Sequence, residues 1–290
     1  VNDGSTDDTA RRLADMEDAR LRIITQPNAG VSAARNRGLA EVDTPYVMFL
    51  DGDDVLHPDA LLRLRQGLLR ADEAVVAFGS LRKILANGEP YPGERSLDVA
   101  AYPTGDVLAA MVRENFLANG GHALIRTSAA RRAGGFDTTL RLSEDWEFWC
   151  RLAVLGPFEY IGAKPEVFYL RVTVGSSSGG LAADWNNHLP ALNAVLNNPD
   201  IVGRFGPSAW RKLARKVRAS HRWEAGRVNF TCRQFATARR LMLRSLVEDF
   251  RLKRFVLFAL AQVSEATGRS LVSRLRFRSD DDVPTAASGS

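Results

Sequence analysis

The chain has 290 residues, 45% of them hydrophobic and 25% charged, with a formal net charge of +5 and two cysteines. That balance belongs to a folded globular chain with room for a sizeable core, and it excludes disordered, collagenous and disulfide-stapled classes. Cys150 and Cys232 lie far apart without metal-ligand spacing, so neither a disulfide framework nor a zinc site is predicted, which suits a reducing cytoplasm.

Charge is divided unevenly. Residues 1–202 carry 20 Lys and Arg against 27 Asp and Glu, while residues 203–278 carry 19 against 4. An acidic body with a basic end points to two tasks. No run approaches the roughly 20 apolar residues of a membrane-spanning helix, and no stretch reads as a secretory signal. Val1-Asn2-Asp3-Gly4 reads as the end of a strand entering a turn, with no strand before it, so the sequence is expected to be N-terminally truncated.

In chain order, Leu21–Ile24 reads as a strand, Val31–Ala40 as a helix and Tyr46–Leu50 as a buried strand. Pro58–Arg70 follows as a helix and Ala74–Phe78 as a strand. Units of this length predict an α/β fold: a mostly parallel, Rossmann-like sheet flanked by helices. Residues 83–105 read as an irregular excursion. A helix over Asp106–Arg113, a strand over His122–Ile125 and a helix after Thr127 come next. A helix from Ser143 and strands around Glu159–Ile161 and Val167–Leu170 complete this part. Gly175-Ser176-Ser177-Ser178-Gly179-Gly180 reads as a flexible break. Beyond it the chain reads as a helical extension, closed by a disordered tail from Asp280.

Ligands of open parallel sheets sit beyond the carboxyl ends of the strands, and two acidic motifs fall there. In Asn2-Asp3-Gly4-Ser5-Thr6-Asp7-Asp8, Gly4 permits a tight turn, Ser5 or Thr6 suits a helix N-cap, and Asp3 could accept from the N–H of a base. Asp51-Gly52-Asp53-Asp54 follows a buried strand, and three crowded carboxylates are relieved by a divalent cation such as Mg²⁺ or Mn²⁺. Between them, Asn28-Ala29-Gly30 opens a helix that carries Arg35 and Asn36, and Arg suits phosphate or sugar oxygens. In Ser143-Glu144-Asp145-Trp146-Glu147-Phe148-Trp149, Ser143 suits the N-cap and the helix macrodipole would lower the pKa of the acids. One of those acids could take a proton from a hydroxyl beside a tryptophan platform.

Taken in this order, the VNDGSTD segment, the N-x-G-x-x-x-A-R-N-x-G stretch, the D-x-D after an apolar strand, Gly134-Gly135-Phe136-Asp137 and the Glu144-Asp145 pair resemble the family 2 glycosyltransferases over residues 1 to about 178. The resemblance implies a GT-A fold over 1–178 with its first strand missing, a basic helical extension over 179–278 and a tail over 279–290. It implies an inverting enzyme that takes a sugar from a nucleotide diphosphate. UDP-hexoses are the family default, with dTDP- and GDP-sugars close behind. A surface-polysaccharide setting follows by analogy. By the same analogy Asp3, Gly4, Ser5, Asn28, Gly30, Arg35, Asp51 and Asp53 form the donor site. Asp3 contacts the base, Asp51 reaches the ribose or the metal, Asp53 holds Mn²⁺ or Mg²⁺ at the diphosphate, and Asp145, beside Glu144, is the general base.

Two departures stand out. The family's opening strand and its P-x-Y-N segment are absent, and Thr173 stands where many relatives carry a histidine; His122 and His188 are other histidines, each more often structural. Ser220-His221-Arg222-Trp223 echoes only part of the Q-x-x-R-W motif of processive synthases, which favours one transfer per encounter. The basic residues of 203–278 suit solvated helix faces or an anionic membrane surface, where each contributes about 1 kcal/mol. That surface would fit a lipid-linked acceptor, with the protein cytoplasmic or peripheral on the inner face of the plasma membrane. No nucleic-acid motif accompanies the charge. No glycine-rich loop supports a nucleotidyltransferase or a dinucleotide-binding dehydrogenase. A catalytically silent nucleotide-sugar-binding or scaffold protein of the same fold is the competing expectation.

Overall fold

The computed structural model describes residues 1–92, 102–118, 120–172 and 177–267. Thr173, Gly175, Ser176 and the expected tail from Asp280 lie outside the described residues. The elements are β1 (Asn2–Asp3), α1 (Thr9–Ala14), β2 (Thr25–Gln26), α2 (Val31–Glu41), β3 (Tyr46–Val47), β4 (Val55–Leu56) and α3 (Ala60–Arg70). Next come β5 (Val76–Phe78), β6 (Leu81–Ile84), α4 (Leu108–Arg113), β7 (Ala123–Arg126), α5 (Thr127–Arg132), α6 (Glu144–Leu155), β8 (Phe158–Tyr160) and β9 (Phe168–Arg171). The rest is helical: α7 (Ser177–Ala183), α8 (Trp185–Leu196), α9 (Pro199–Val202), α10 (Pro207–Thr231), α11 (Phe235–Glu248) and α12 (Leu252–Thr267).

The α/β class stands, but the pairing is mixed rather than mostly parallel. β3-β7-β5-β8 form one sheet, β4-β9-β6 a second, and β1 pairs with β2. β1–β2, β5–β8 and β6–β9 are parallel; β3–β7, β5–β7 and β4–β9 are antiparallel. The apolar run of a strand buried on both faces is the same whichever way its neighbours point, so direction was not readable from the pattern. The strand expected at Leu21–Ile24 pairs immediately after it, at Thr25–Gln26, although the Ile24 carbonyl already accepts from Asn2 N at 2.7 Å. β4 and β6 arise where no strand was expected, and the expected glycine–serine break gives way to helix at Ser177.

The described residues divide into two compact units, one drawn from residues 1–181 with 186–207 and the other from residues 182–185 with 208–267. In the first unit β5 is buried along its whole length, with Val76 opposite Phe158 on one side and Ile125 on the other. Helix α3 covers this sheet through Ala60, Leu64, Gly67 and Leu68, spaced at i, i+4, i+7 and i+8 on one face. Gly67 is small by necessity, since a Cβ there would lie 2.5 Å from Ile161. Leu64, Leu68, Ala74, Ala77 and Leu124 form the core beneath it. Helix α6 has seven buried residues in its twelve, including Trp146, Phe148 and Trp149, and so runs through the interior.

In the second unit α10, α11 and α12 pack around Trp223, Met242 and Leu246, with Phe230, Leu257 and Phe258 against them. Gly226 lets α10 and α11 meet, because a Cβ there would lie 2.8 Å from Met242 Cγ. Among the described residues no helix is long and apolar enough to cross a membrane. Cys150 is buried and Cys232 exposed, both free.

Candidate active site

The first acidic motif is a clamp on the start of α2. Asp3 Oδ1 accepts from Gln26 Nε2 at 2.7 Å and from Ala29 N at 3.0 Å, and its Oδ2 accepts from Gly30 N at 2.9 Å. These bonds, Gln26 foremost and then the Ala29 amide, hold the Asp3 carboxyl below its ordinary range. A carboxylate offers about four acceptor positions, so Asp3 keeps room for a further donor. Gly4 has φ 74°, and a Cβ there would lie 2.7 Å from Asn28 N, so only glycine lets the β1 turn approach the Asn28 loop. Ser5 N donates to Asn2 Oδ1 at 3.0 Å. The expected Ser5 or Thr6 cap is not formed. Helix α1 begins at Thr9, and it is Asp7 Oδ1 that accepts from Thr9 N, at 3.0 Å.

Arg35 joins three elements. It rises from α2, donates from Nη2 to Asp51 Oδ1 at 2.8 Å and lies 3.4 Å from Glu144 Oε1 through Nη1. Its side chain is only 9% exposed, and its guanidinium sits 5.2 Å from the centre of the Phe136 ring. Arg35 is therefore held by the site's own carboxylates rather than standing open to a phosphate. Its neighbour Asn36 fixes the Gly134-Gly135-Phe136 turn: Nδ2 donates to Phe136 O and Oδ1 accepts from Phe136 N, both at 2.7 Å. A Cβ on Gly135, at φ 71°, would lie 2.4 Å from that Oδ1. Phe136 in turn stacks edge-on to Phe49, just ahead of Asp51, at 4.9 Å.

Within the Asp51–Asp54 loop the carboxylates separate. Asp54 Oδ1 accepts from Arg171 N at 2.8 Å and the Asp53 carbonyl accepts from Arg171 Nε at 2.7 Å, which ties the loop to β9. The Asp53 side chain belongs to an exposed residue, and Asp51 is half-buried. Among the described residues no group of three or more side chains could cage a metal. Two hard oxygen donors on one loop fit the alternative, an Mg²⁺ or Mn²⁺ that completes its shell with phosphate oxygens and water.

Asp145 opens α6. Its Oδ1 accepts from Trp146 N at 2.7 Å and its Oδ2 from Asn115 Nδ2 at 2.9 Å. Contrary to the macrodipole expectation, its pKa is raised, to about 6: burial contributes most and the adjacent Glu144 charge next, outweighing the Trp146 amide, Asn115 and Arg35. Ser143 occupies the N-cap position at φ 62°, in the left-handed region, and its side chain makes no capping bond, so the expected cap is replaced by a strained turn.

Asn115 is the residue that sequence reasoning missed. It sits in the loop after α4, and its Nδ2 also donates to Ala118 O at 3.2 Å. His122 braces that loop from the interior. It is fully buried, with Nδ1 2.5 Å from Gly79 O and Nε2 2.7 Å from Leu117 O, and burial lowers its pKa. Within α6, Glu147 and Arg151 form a two-pronged pair one turn apart, both contacts at 2.6 Å. Arg151 also donates to the carbonyls of Ala133 and Gly135. His188 is buried within α8.

The Glycosyl transferase family 2 model matches residues 1–134, a little under half of the chain, and the fold is that of the GT-A glycosyltransferases. The chain is 24% identical over 211 residues to a hyaluronan synthase of Pasteurella multocida, an alignment covering 69% of the chain and 20% of the synthase. It thus spans about a fifth of that curated relative's length. Among solved structures, S. aureus TarS 1–349 in complex with UDP-GlcNAc superposes with a TM-score of 0.53 at 13% identity, over 92% of this chain and 81% of that one. The mannosyltransferase PcManGT from Pyrobaculum calidifontis, in complex with GDP-Man and Mn²⁺, gives 0.50 at 17% identity, over 94% and 73%. At such identities the two structures speak for the fold. The matched 134 residues hold Asp3, Arg35, Asp51 and Asp53 and stop short of Glu144 and Asp145, which come to the site through α6.

Proposed function

We propose that this chain is an inverting, metal-assisted glycosyltransferase. It moves a sugar from a nucleotide diphosphate, a UDP-hexose first among the candidates, to a hydroxyl of a glycan or lipid-linked saccharide. The observation that carries this reading is Asp145, a carboxylate whose burial raises its pKa to about 6, held at the head of α6 beside the Arg35–Asp51–Glu144 network. Asp145 takes the proton of the acceptor hydroxyl as that oxygen attacks the anomeric carbon from the face opposite the diphosphate. The bond from that carbon to the diphosphate breaks, and its electron pair leaves with the nucleotide. The base faces Asp3, with Gly4, Ser5, Asn28 and Gly30 forming the surrounding turns. Asp51 and Asp53 would hold Mg²⁺ or Mn²⁺, which when bound offsets the charge of the diphosphate. Residues 1–178 form the transferase part in this reading and 179–278 the basic extension. A lipid-linked acceptor would bring the chain to a membrane surface, a partner that suits the extension.

The donor is tested by thermal-shift titration with UDP, GDP and dTDP, each with and without Mn²⁺. A nucleotide at 100 times its dissociation constant should stabilise the fold by about 2.7 kcal/mol. One nucleotide is expected to raise the melting temperature in a metal-dependent way, and Asp53→Ala to remove the metal-dependent part. A cooperative melt that no nucleotide shifts would overturn the donor reading; a shift without sugar transfer would favour the silent scaffold.

The base is tested by the pH profile of transfer. Activity should rise through pH about 6 as Asp145 ionises. Asn115→Ala removes a bond that favours the carboxylate and should move this limb to higher pH. Glu144→Gln removes the like charge that opposes ionisation and should move it lower. Shifts in the same direction for both variants would count against Asp145 as the titrating group.

A further inference from the structure

The second unit turns its chemistry inside out at α11 and α12. Arg254 is 2% exposed, donates to the hydroxyls of Ser220 at 2.9 Å and Ser245 at 3.4 Å, and lies 5.7 Å from the centre of the Trp223 ring. On the opposite side of the same helix the apolar residues face water: Leu252 is 68% exposed and Phe255 46%. The connecting turn continues the pattern, with Phe250 66% exposed and its ring 6.0 Å from that of Phe255. On α11, Val247 is 87% exposed. Val247 shares a face with Arg240, Leu243 and Arg244 at i, i+3, i+4 and i+7, and all four are exposed. Large apolar side chains gathered on one surface mark an interaction site. Apolar residues interleaved with cations, on helices too short and too polar to span a bilayer, are the pattern of a surface lying in a lipid interface.

We propose that the exposed face of α11 and α12 seats on an anionic lipid surface, with Val247, Phe250, Leu252 and Phe255 entering the headgroup–acyl boundary and Arg240 and Arg244 meeting the headgroups. Charge complementarity selects this occupant, since residues 203–278 carry 19 Lys and Arg against 4 Asp and Glu. The proposal gives the membrane partner of the preceding reading a named surface, and lipid binding is measured independently of sugar transfer.

The test is flotation of the full chain with neutral phosphatidylcholine vesicles and with vesicles containing phosphatidylglycerol, at low and high salt. The chain should float with the anionic vesicles at low salt and keep part of that binding at high salt, where adsorption by charge alone is screened. Arg240→Ala with Arg244→Ala should weaken low-salt binding by about 30-fold. Val247→Asp with Phe250→Asp, both at exposed positions, should weaken it by about tenfold or more at either salt. Absence of flotation with anionic vesicles at low salt would overturn the proposal. So would binding that high salt abolishes and the Val247/Phe250 variant leaves intact, which is adsorption without insertion. A chain that is dimeric by light scattering and becomes monomeric with the Val247/Phe250 variant would assign the face to a second copy instead.

Discussion

Asp145→Asn should reduce the turnover of sugar transfer by about 10²- to 10⁴-fold, the usual contribution of a positioned general base, without lowering the stability of the fold. The second half of this expectation separates chemistry from structure. An aspartate that titrates at about 3.9 in the unfolded chain and at about 6 in the folded one is better tolerated protonated. The folded state therefore binds a proton between these values that the unfolded state has released, so stability falls as pH rises through that window. At pH 7 the ionised carboxylate opposes folding, and the neutral amide removes that opposition. The melting temperature of the variant should hold or rise at pH 7 and approach that of the parent near pH 4. Initial-rate assays and melts across pH measure both halves. A variant that keeps turnover within tenfold of the parent would remove Asp145 from the role of base.

Arg151→Ala should destabilise the first unit by about 3–5 kcal/mol, because removing one partner of a buried pair strands the other. The stranded group is Glu147, whose side chain is 6% exposed inside α6. The same change removes the donors to the carbonyls of Ala133 and Gly135, so the turn that presents Phe136 to Arg35 loses its support. Arg151→Lys should recover only part of the loss, since an ammonium does not reproduce the two-pronged geometry. Urea denaturation reads the effect, and a loss below about 1 kcal/mol would show the pair to be ornamental, as many solvent-exposed pairs are.

The sequence carried the placing of the site better than its wiring. Acidic motifs at strand ends stand out because crowded carboxylates are costly without a purpose, and this made Asp3 and Asp51 visible, while Asp145 was legible as an acid in the first turn of a helix beside tryptophans. Their partners were not visible. Asn115 lies 30 positions before Asp145 in an unremarked loop, and its amide reaches the carboxylate only through the fold. Arg35 read as a phosphate ligand because its type suits one, yet two carboxylates from distant elements claim it. The direction of the Asp145 shift was misread for a related reason: the macrodipole belongs to one helix and is legible locally, whereas burial is a sum over everything packed around the helix. Strand direction failed in the same way, because β7 runs antiparallel between β3 and β5 and no local pattern records the direction of a neighbour.

His122 brings these threads to one proton. Its two ring nitrogens face two carbonyls, Gly79 at the end of β5 and Leu117 in the loop that carries Asn115, and a neutral imidazole has a single hydrogen to share between them. Whichever carbonyl receives it, the other is left facing a lone pair. The tautomer thus decides whether the loop or the strand is the better moored, and Asn115 moves with the loop. The acidity of Asp145, set first by its burial, is in this way adjusted from the core through the loop that holds Asn115.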